Sequence, residues 1–483
     1  MNKVSSVKMN ALLNIIKQCC NILFPIITYP YVSRIVGAAS LGRYSFADSI
    51  IQYALILSSL GAAGYAIREG ARIRDNKMKI TEFSREIFTI NLISLAISTI
   101  ILCFLLFASE RVSRERLLIS ILSINVFANI FGRDWINSIY EDYLYITLRY
   151  IIFQILAMIA MFTFVRSPED VTKYAVIVVF GNAGAQFTNI IHTCKVVPLR
   201  IKFSKDLLKH LKPILYMFCI SVASVIYINS DITILGFFKS DDDVGVYYIV
   251  GKIYTIIKAL LNALITVSIP RLSYYLGRQD NKKYQQLLSS LRDYLYTFII
   301  PVTVGLFMLS RSVLTIIGGT EFEFGVQALR ILSAAMLFAV FGCFYSQSIL
   351  IPNRKENIFF LATIVSAMVN IGLNFIIIPF WGINGAALTT LISEVIVVIV
   401  CASNSKGLHD KFDVKGNVVI ILGSSTIVVI CYIVSILFSN FIISTSLSIM
   451  LSLISYFIVL LIGKNRVVLS CVSKIIKKEE KII

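Results

Sequence analysis

The chain has 483 residues, 57% of them hydrophobic and only 15% charged, with a net charge of +18. Its mean hydropathy is +0.81, and the apolar residues come in blocks of about 20, the length an α-helix needs to cross a bilayer core. A soluble globular domain is excluded on composition, and a membrane β-barrel on pattern, since barrel strands show short alternating runs.

In chain order the apolar runs predict fourteen spans: about 9–34, 44–66, 87–108, 117–137, 150–165, 174–196, 214–238, 244–269, 295–317, 327–351, 358–380, 383–402, 417–438 and 444–463. The first carries Asn14, Lys17, Gln18 and Asn21 on one face. Pro25 and Pro30 each remove a backbone donor there and can bend the helix. Arg34, Gly37, Gly42 and Arg43 mark the turn that follows, and Tyr44, Asp48 and Gln52 share a face at the start of span two. Asp48 is placed to pair with a basic residue or to form a gate contact. Arg133 falls within span four.

Between spans six and seven, Leu207, Leu208 and Leu211 share one helical face from the N-cap Ser204 onward, Lys205, Lys209 and Lys212 lie away from it, and Pro213 closes the segment. This predicts a short amphipathic helix on the membrane surface. Span seven carries Ser221, Ser224 and Asp231 along one side, and span eight places Tyr248, Lys252, Thr255, Lys258, Asn262 and Thr266 on one face. A loop from Arg271 to about Thr297 leads to span nine, which holds Arg311 near its end. Thr363, Ser366, Asn370 and Asn374 line span eleven, where residues of this kind commonly bond helix to helix, and Glu394 lies in span twelve. A basic amphipathic tail follows span fourteen.

Of the 45 Lys and Arg, 31 fall in the loops that share a side with the N-terminus and 8 in the opposite loops, which predicts cytoplasmic N- and C-termini. The positive charge is thus mainly topological, and it also meets anionic lipid; no nucleic-acid-binding pattern is present. Lys17 interrupts the first block and no small-residue cleavage site follows, so a signal peptide is not expected. The nine cysteines show no C-x-x-C, and His192, His210 and His409 are scattered, so no disulfide framework, metal site or cofactor is expected and the histidines read as surface residues.

Spans one to six and seven to twelve read as two copies. A shift of 203 matches Gly42 with Gly245, Tyr44 with Tyr247, Ile50 with Ile253 and Arg68 with Arg271. The expected organisation is an N-lobe over 1–197, a linker over 198–213, a C-lobe over 214–402, and two added helices with the tail over 403–483, the lobes being related by an axis along the membrane normal.

Nucleotide-binding, nucleophile-elbow and zinc-protease motifs are lacking, so the polar residues within the membrane carry the functional argument. Lys252 and Lys258 lie too deep to snorkel comfortably and require water, an acidic partner or an anionic ligand. With Lys17, Arg133 and Arg311 they suggest a water-filled cationic cavity between the halves, suited to a diphosphate, with Arg34, Asn370 and Asn374 as further candidates to line it; Asp48, Asp231 and Glu394 are the few acids available for pairing, ion coupling or gating.

Four stretches carry a resemblance: "FPIITYPYVSRIVGAASLGRYSFADS" (24–49), "DWINSIYEDYLYITLR" (134–149), "ILIPNRKE" (349–356) and "VNIGLNFIIIPFWGINGAALTTLISE" (369–394). Together they resemble the Wzx-type polysaccharide flippases of the MATE-like (MOP) superfamily, with Ser138 where that family commonly has glycine. The resemblance implies an all-α, polytopic MATE-like fold of two six-helix lobes, here with two further C-terminal helices. It implies a transporter rather than an enzyme, moving undecaprenyl-diphosphate-linked oligosaccharide across a bacterial inner membrane by alternating access. Membrane lipids, and a polysaccharide polymerase with its chain-length machinery, are the implied partners. By position Arg34, Asp134, Glu141 and Arg149 fall in matching motifs. A cation-coupled drug or metabolite exporter is the alternative, against which span one holds no Asp or Glu. An integral-membrane polymerase or ligase is disfavoured by the short outer loops.

Overall fold

The computed structural model describes residues 7–204, 206–405, 414–438 and 440–470, and every regular element among them is a helix. The α-helices are α1 (Val7–Ser59), α2 (Ala62–Ile73), α3 (Lys77–Ala108), α4 (Glu110–Arg114), α5 (Arg116–Gly132), α6 (Asp134–Ile139), α7 (Tyr143–Phe164), α8 (Val171–Cys194), α9 (Leu207–Phe238), α10 (Asp241–Gly277), α11 (Asn281–Met308), α12 (Ser310–Gly318), α13 (Val326–Cys343), α14 (Glu356–Ser403), α15 (Val414–Leu437) and α16 (Phe441–Ile462). Among the described residues, twelve helical stretches are long and apolar enough to cross a membrane.

Two of the twelve are hairpins. In α1 the helix breaks at Gly37, whose φ of 79° is a conformation that disfavours a side chain. Tyr31 before the break donates to the Val165 carbonyl at 2.7 Å, and Ser40 after it donates to the Pro168 carbonyl at 3.0 Å, so both sides lie by one end of α7 and α8. Leu13 lies at the other end of α7, where its carbonyl accepts from Thr147. The chain therefore reverses at Gly37. In α14 the break is Gly382, at φ 54°. Ser366 donates to the Ser393 carbonyl at 2.9 Å and Lys355 reaches the Asn404 carbonyl at 3.4 Å, the pairing of an antiparallel hairpin. Counting each hairpin as two crossings turns twelve stretches into the fourteen spans that the apolar runs predict.

Helix ends depart from expectation where the sequence turns polar. The α3 helix starts ten residues before the expected 87, capped by Asn76, whose side chain accepts from the amides of Met78 and Lys79 at 3.1 Å. The loop expected over 271–297 is helical almost throughout: α10 runs to Gly277 and α11 begins at Asn281, with Asp280 accepting from the Lys283 amide. Span nine accordingly ends at Met308, and Arg311 lies on the separate α12. Span five is a full 22 residues, Tyr143–Phe164. Over 198–213 no separate surface helix forms: 198–204 is non-helical, and α9 runs from Leu207 straight through Pro213. Near a helix start, a proline removes few intrahelical bonds. Leu208 is 72% exposed. Lys205, His409 and residues 471–483 of the tail lie outside the described residues.

By their contacts the elements form two compact units, Met1–Tyr248 and Ile249–Ile483. In the first, α1 packs on α3, α5, α7 and α9, and α5 on α8. One end of this unit holds an apolar core in which Tyr65, Phe83, Trp135 and Ile214 meet. In the second, α13 packs on α14 and α11, and α15 on α16 and α11.

Candidate functional site

In the second unit the span-eight face meets span twelve. Lys258 on α10 reaches Glu394 on α14, Nζ to Oε1 2.6 Å, and the Tyr254 hydroxyl donates to the same oxygen at 3.0 Å. Lys258 also lies 5.3 Å from the Tyr254 ring centroid. Glu394 is 5% exposed. An ion pair this deep loses much of its Coulombic gain to desolvation, whereas removing one member strands the other charge. Lys252, two turns earlier, is half-buried on the same helix. Cys343 and Asn262 border the pair, their side chains 3.5 Å apart.

Asn370 and Asn374 are buried and form a relay across the α14 hairpin: Thr389 donates to Asn374 Oδ1, and Asn374 donates to Asn370 Oδ1 at 3.1 Å. Arg311 is not part of an interior cluster. Its side chain is 69% exposed and pairs with Glu323 at 2.6 Å.

In the first unit, Asp134 on α6 is the hub of a polar cluster. It accepts from Arg149, from Gln186 Nε2 at 2.9 Å and from Asn189 Nδ2 at 3.0 Å. Arg149 is 7% exposed, and its Nε and Nη1 find no hydrogen-bond partner. Lys17 belongs to the same neighbourhood, its ammonium 5.7 Å from the Tyr150 ring. Arg133 is buried at the α5–α6 junction with φ 51°, donating to Thr193 Oγ1 at 3.2 Å and lying over the Phe88 ring. Its position is that of a packed junction residue. Glu141 ties Arg74 at 2.9 Å and Asn10 at 3.3 Å.

At the Gly37 end, Tyr44 stacks edge-on against Tyr174 and Tyr248, and Tyr248 against Tyr29, with Asp48 accepting from Gln52 at 3.3 Å beside them. Asp231 accepts from the Tyr247 hydroxyl at 2.7 Å. Arg34 is exposed beside the break. Gly42 and Gly245 sit back to back: a Cβ on Gly42 would lie 1.8 Å from the Asp241 carbonyl oxygen, and one on Gly245 1.9 Å from that of Ala38. Glu115 accepts from Arg43 at 3.0 Å and Arg111 at 3.4 Å, and Arg111 also pairs with Asp241.

Sequence reading missed the tyrosine cluster, Tyr254, and a group at the opposite end of the first unit. There His210 bridges the Tyr65 hydroxyl (2.7 Å) and Glu86 (3.1 Å), and Ser204 and Lys202 also reach Glu86, at 3.0 and 3.4 Å. The Lys202 ammonium is held above its ordinary pKa, chiefly by its hydrogen bond to Glu82. His210 is thus a bonded, mostly buried residue, and His192 likewise stacks on Tyr145 beside Asp142, so neither is a free surface histidine. Glu86 falls between the spans expected over 44–66 and 87–108, so it lies outside the stretches whose polar faces the sequence marks.

A model of the family described as polysaccharide biosynthesis protein matches residues 7–276, more than half of the chain. A protein named as an O-antigen transporter, from Shigella dysenteriae, is 24% identical over 403 residues, covering 81% of this chain and 98% of that one. One of the same name from Escherichia coli (strain K12) is 21% identical over 400 residues, covering 82% and 95%. A protein named as the low-salt glycan biosynthesis flippase Agl15, from Haloferax volcanii, is 24% identical over 173 residues, so the match spans only 36% of its length. Among solved structures, the lipid II flippase MurJ in an inward-closed conformation matches with TM-score 0.74 at 18% identity, covering 93% of this chain and 99% of that one. An inward-facing multidrug resistance transporter of the MATE family, in the MOP superfamily, matches with TM-score 0.57 at 15% identity, covering 79% and 95%. These likenesses show a MATE-like fold.

Proposed function

Because the chain belongs to the polysaccharide biosynthesis protein family, we propose that it is a flippase moving undecaprenyl-diphosphate-linked oligosaccharide repeat units across a bacterial inner membrane by alternating access, for O-antigen, capsule or exopolysaccharide synthesis. Alignment to nearly the whole length of two proteins named as O-antigen transporters supports transport over catalysis. The single observation that carries the diphosphate is Lys258, a cation held inside a membrane helix by one carboxylate and one tyrosine hydroxyl. A diphosphate offers more charge and more acceptor oxygens than Glu394 does, so it can compete for the ammonium. Asp48, Asp231 and Glu394 are the candidate ion-coupling or gating carboxylates. Lys252, on the same helix, is proposed to assist the anion. A polysaccharide polymerase and its chain-length machinery would receive the unit on the far side.

Deleting the gene tests the reading. The expected result is accumulation of undecaprenyl-diphosphate-linked oligosaccharide on the inner leaflet together with loss of surface polysaccharide. Normal surface polymer in a strain with no second flippase would overturn it and point to the cation-coupled exporter.

A further inference from the structure

Alongside α11, α15 and α16 lie two cavities that meet. One, of about 580 Å³, has Asn417, Lys464, Asn465, Arg466 and Asp293 among its lining residues. The other, of about 370 Å³, is almost wholly apolar and is lined by Pro301, Gly305, Leu309, Tyr456 and Leu460. Thr297 and Val467 border both, so the two form one cleft with a charged mouth and an apolar shaft.

The shaft has a covalent cause. Pro301 cannot donate to the Thr297 carbonyl, and the Tyr456 hydroxyl takes its place at 2.7 Å, buried. That bond pins α16 to α11 at the cleft's waist. Beyond it Gly305 leaves open space: a Cβ there would meet nothing within 4 Å. From Thr297 to Leu309 the shaft follows α11 for about 18 Å at 1.5 Å per residue, close to the roughly 15 Å depth of one leaflet. At the mouth, the side chains of Lys464 and Arg466 are exposed, and Asp293, the one carboxylate among the described lining residues, lies 3.4 Å from Arg292.

We propose that this cleft binds an anionic diacyl phospholipid, its phosphate at Lys464 and Arg466 and one acyl chain along Pro301, Gly305 and Tyr456. A shaft one leaflet deep fits a single acyl chain rather than a long polyprenyl tail, and the cationic mouth selects the headgroup. The site is separate from Lys258 and does not depend on the transport reading.

The test is native mass spectrometry of the full-length, delipidated protein with phosphatidylglycerol or phosphatidylcholine added. Wild type is expected to retain one phosphatidylglycerol with a preference of roughly thirtyfold, as two basic contacts near a lipid surface would give. The K464A/R466A variant should lose that preference while still holding either lipid weakly. G305F starts from a Cβ that meets nothing within 4 Å and should lose both lipids, with its melting temperature showing that the fold persists. Equal retention of the two lipids by wild type, or a preference unchanged in K464A/R466A, would overturn the proposal. So would displacement of the phosphatidylglycerol by equimolar undecaprenyl diphosphate, which would assign the cleft to that lipid. Binding seen only after truncation behind Ser470 would assign the cleft to the chain's own end, and overturn it likewise.

Discussion

Lys258 shows what a residue type alone reveals. A lysine four turns into an apolar helix must be compensated, and with so few acids in the spans, a partner such as Glu394 was among a short list. Tyr254 was not legible, because a tyrosine within an apolar run looks like core. The pairing sets a test that separates transport from folding. K258M strands the Glu394 carboxylate and is expected to cost about 3–5 kcal/mol, seen as lost membrane abundance and a lower melting temperature. K258M/E394Q removes both charges and should recover abundance, yet still fail to transport if the cation meets the diphosphate. Recovered transport in that neutral pair would reduce Lys258 and Glu394 to a structural bond. Arg133 and Arg311, equally basic in the sequence, diverge because one is walled in at a helix junction and the other, itself exposed, pairs with a half-buried glutamate.

Among elements, the prolines and glycines that interrupt the apolar runs have different tasks. Pro301 leaves a carbonyl that only a neighbouring helix can satisfy, so Y456F should destabilise by about 1–3 kcal/mol, the cost of a buried unpaired acceptor. In P301A, the new amide can serve Thr297, and Y456F should then cost much less; equal losses in both backgrounds would show that the hydroxyl is not filling the proline's vacancy. Thermal unfolding of the four proteins in detergent gives the cycle. Gly42 and Gly245, matched by the internal repeat, turn out to touch each other. G42A or G245A should lower stability by about 1–3 kcal/mol through overpacking, whereas G251A, with open space before its Cβ, should not. The repeat singled out the two glycines, but nothing in a linear alignment says that equivalent positions face one another.

At the scale of the whole molecule, orientation rests on charge. With both termini proposed to be cytoplasmic, green fluorescent protein fused after Ile483 should fluoresce and alkaline phosphatase fused after Lys239 should be active; the reverse at either site would invert the topology. What the sequence by itself determined was the number and order of the spans, because hydrophobic length is a local property that a bilayer reads directly. It did not determine where the helices stop: α3 and α11 continue through polar residues, since a helix keeps its hydrogen bonds whether or not hydrocarbon surrounds it. The family was legible in four short stretches. Only the tertiary structure decided which charges neutralise one another, that four tyrosines form one cluster, and that a missing proline amide is replaced by a hydroxyl 159 positions from the carbonyl it serves. Periodicity tells which residues share a face of a helix, but the partner of that face is chosen by packing between segments remote in the chain.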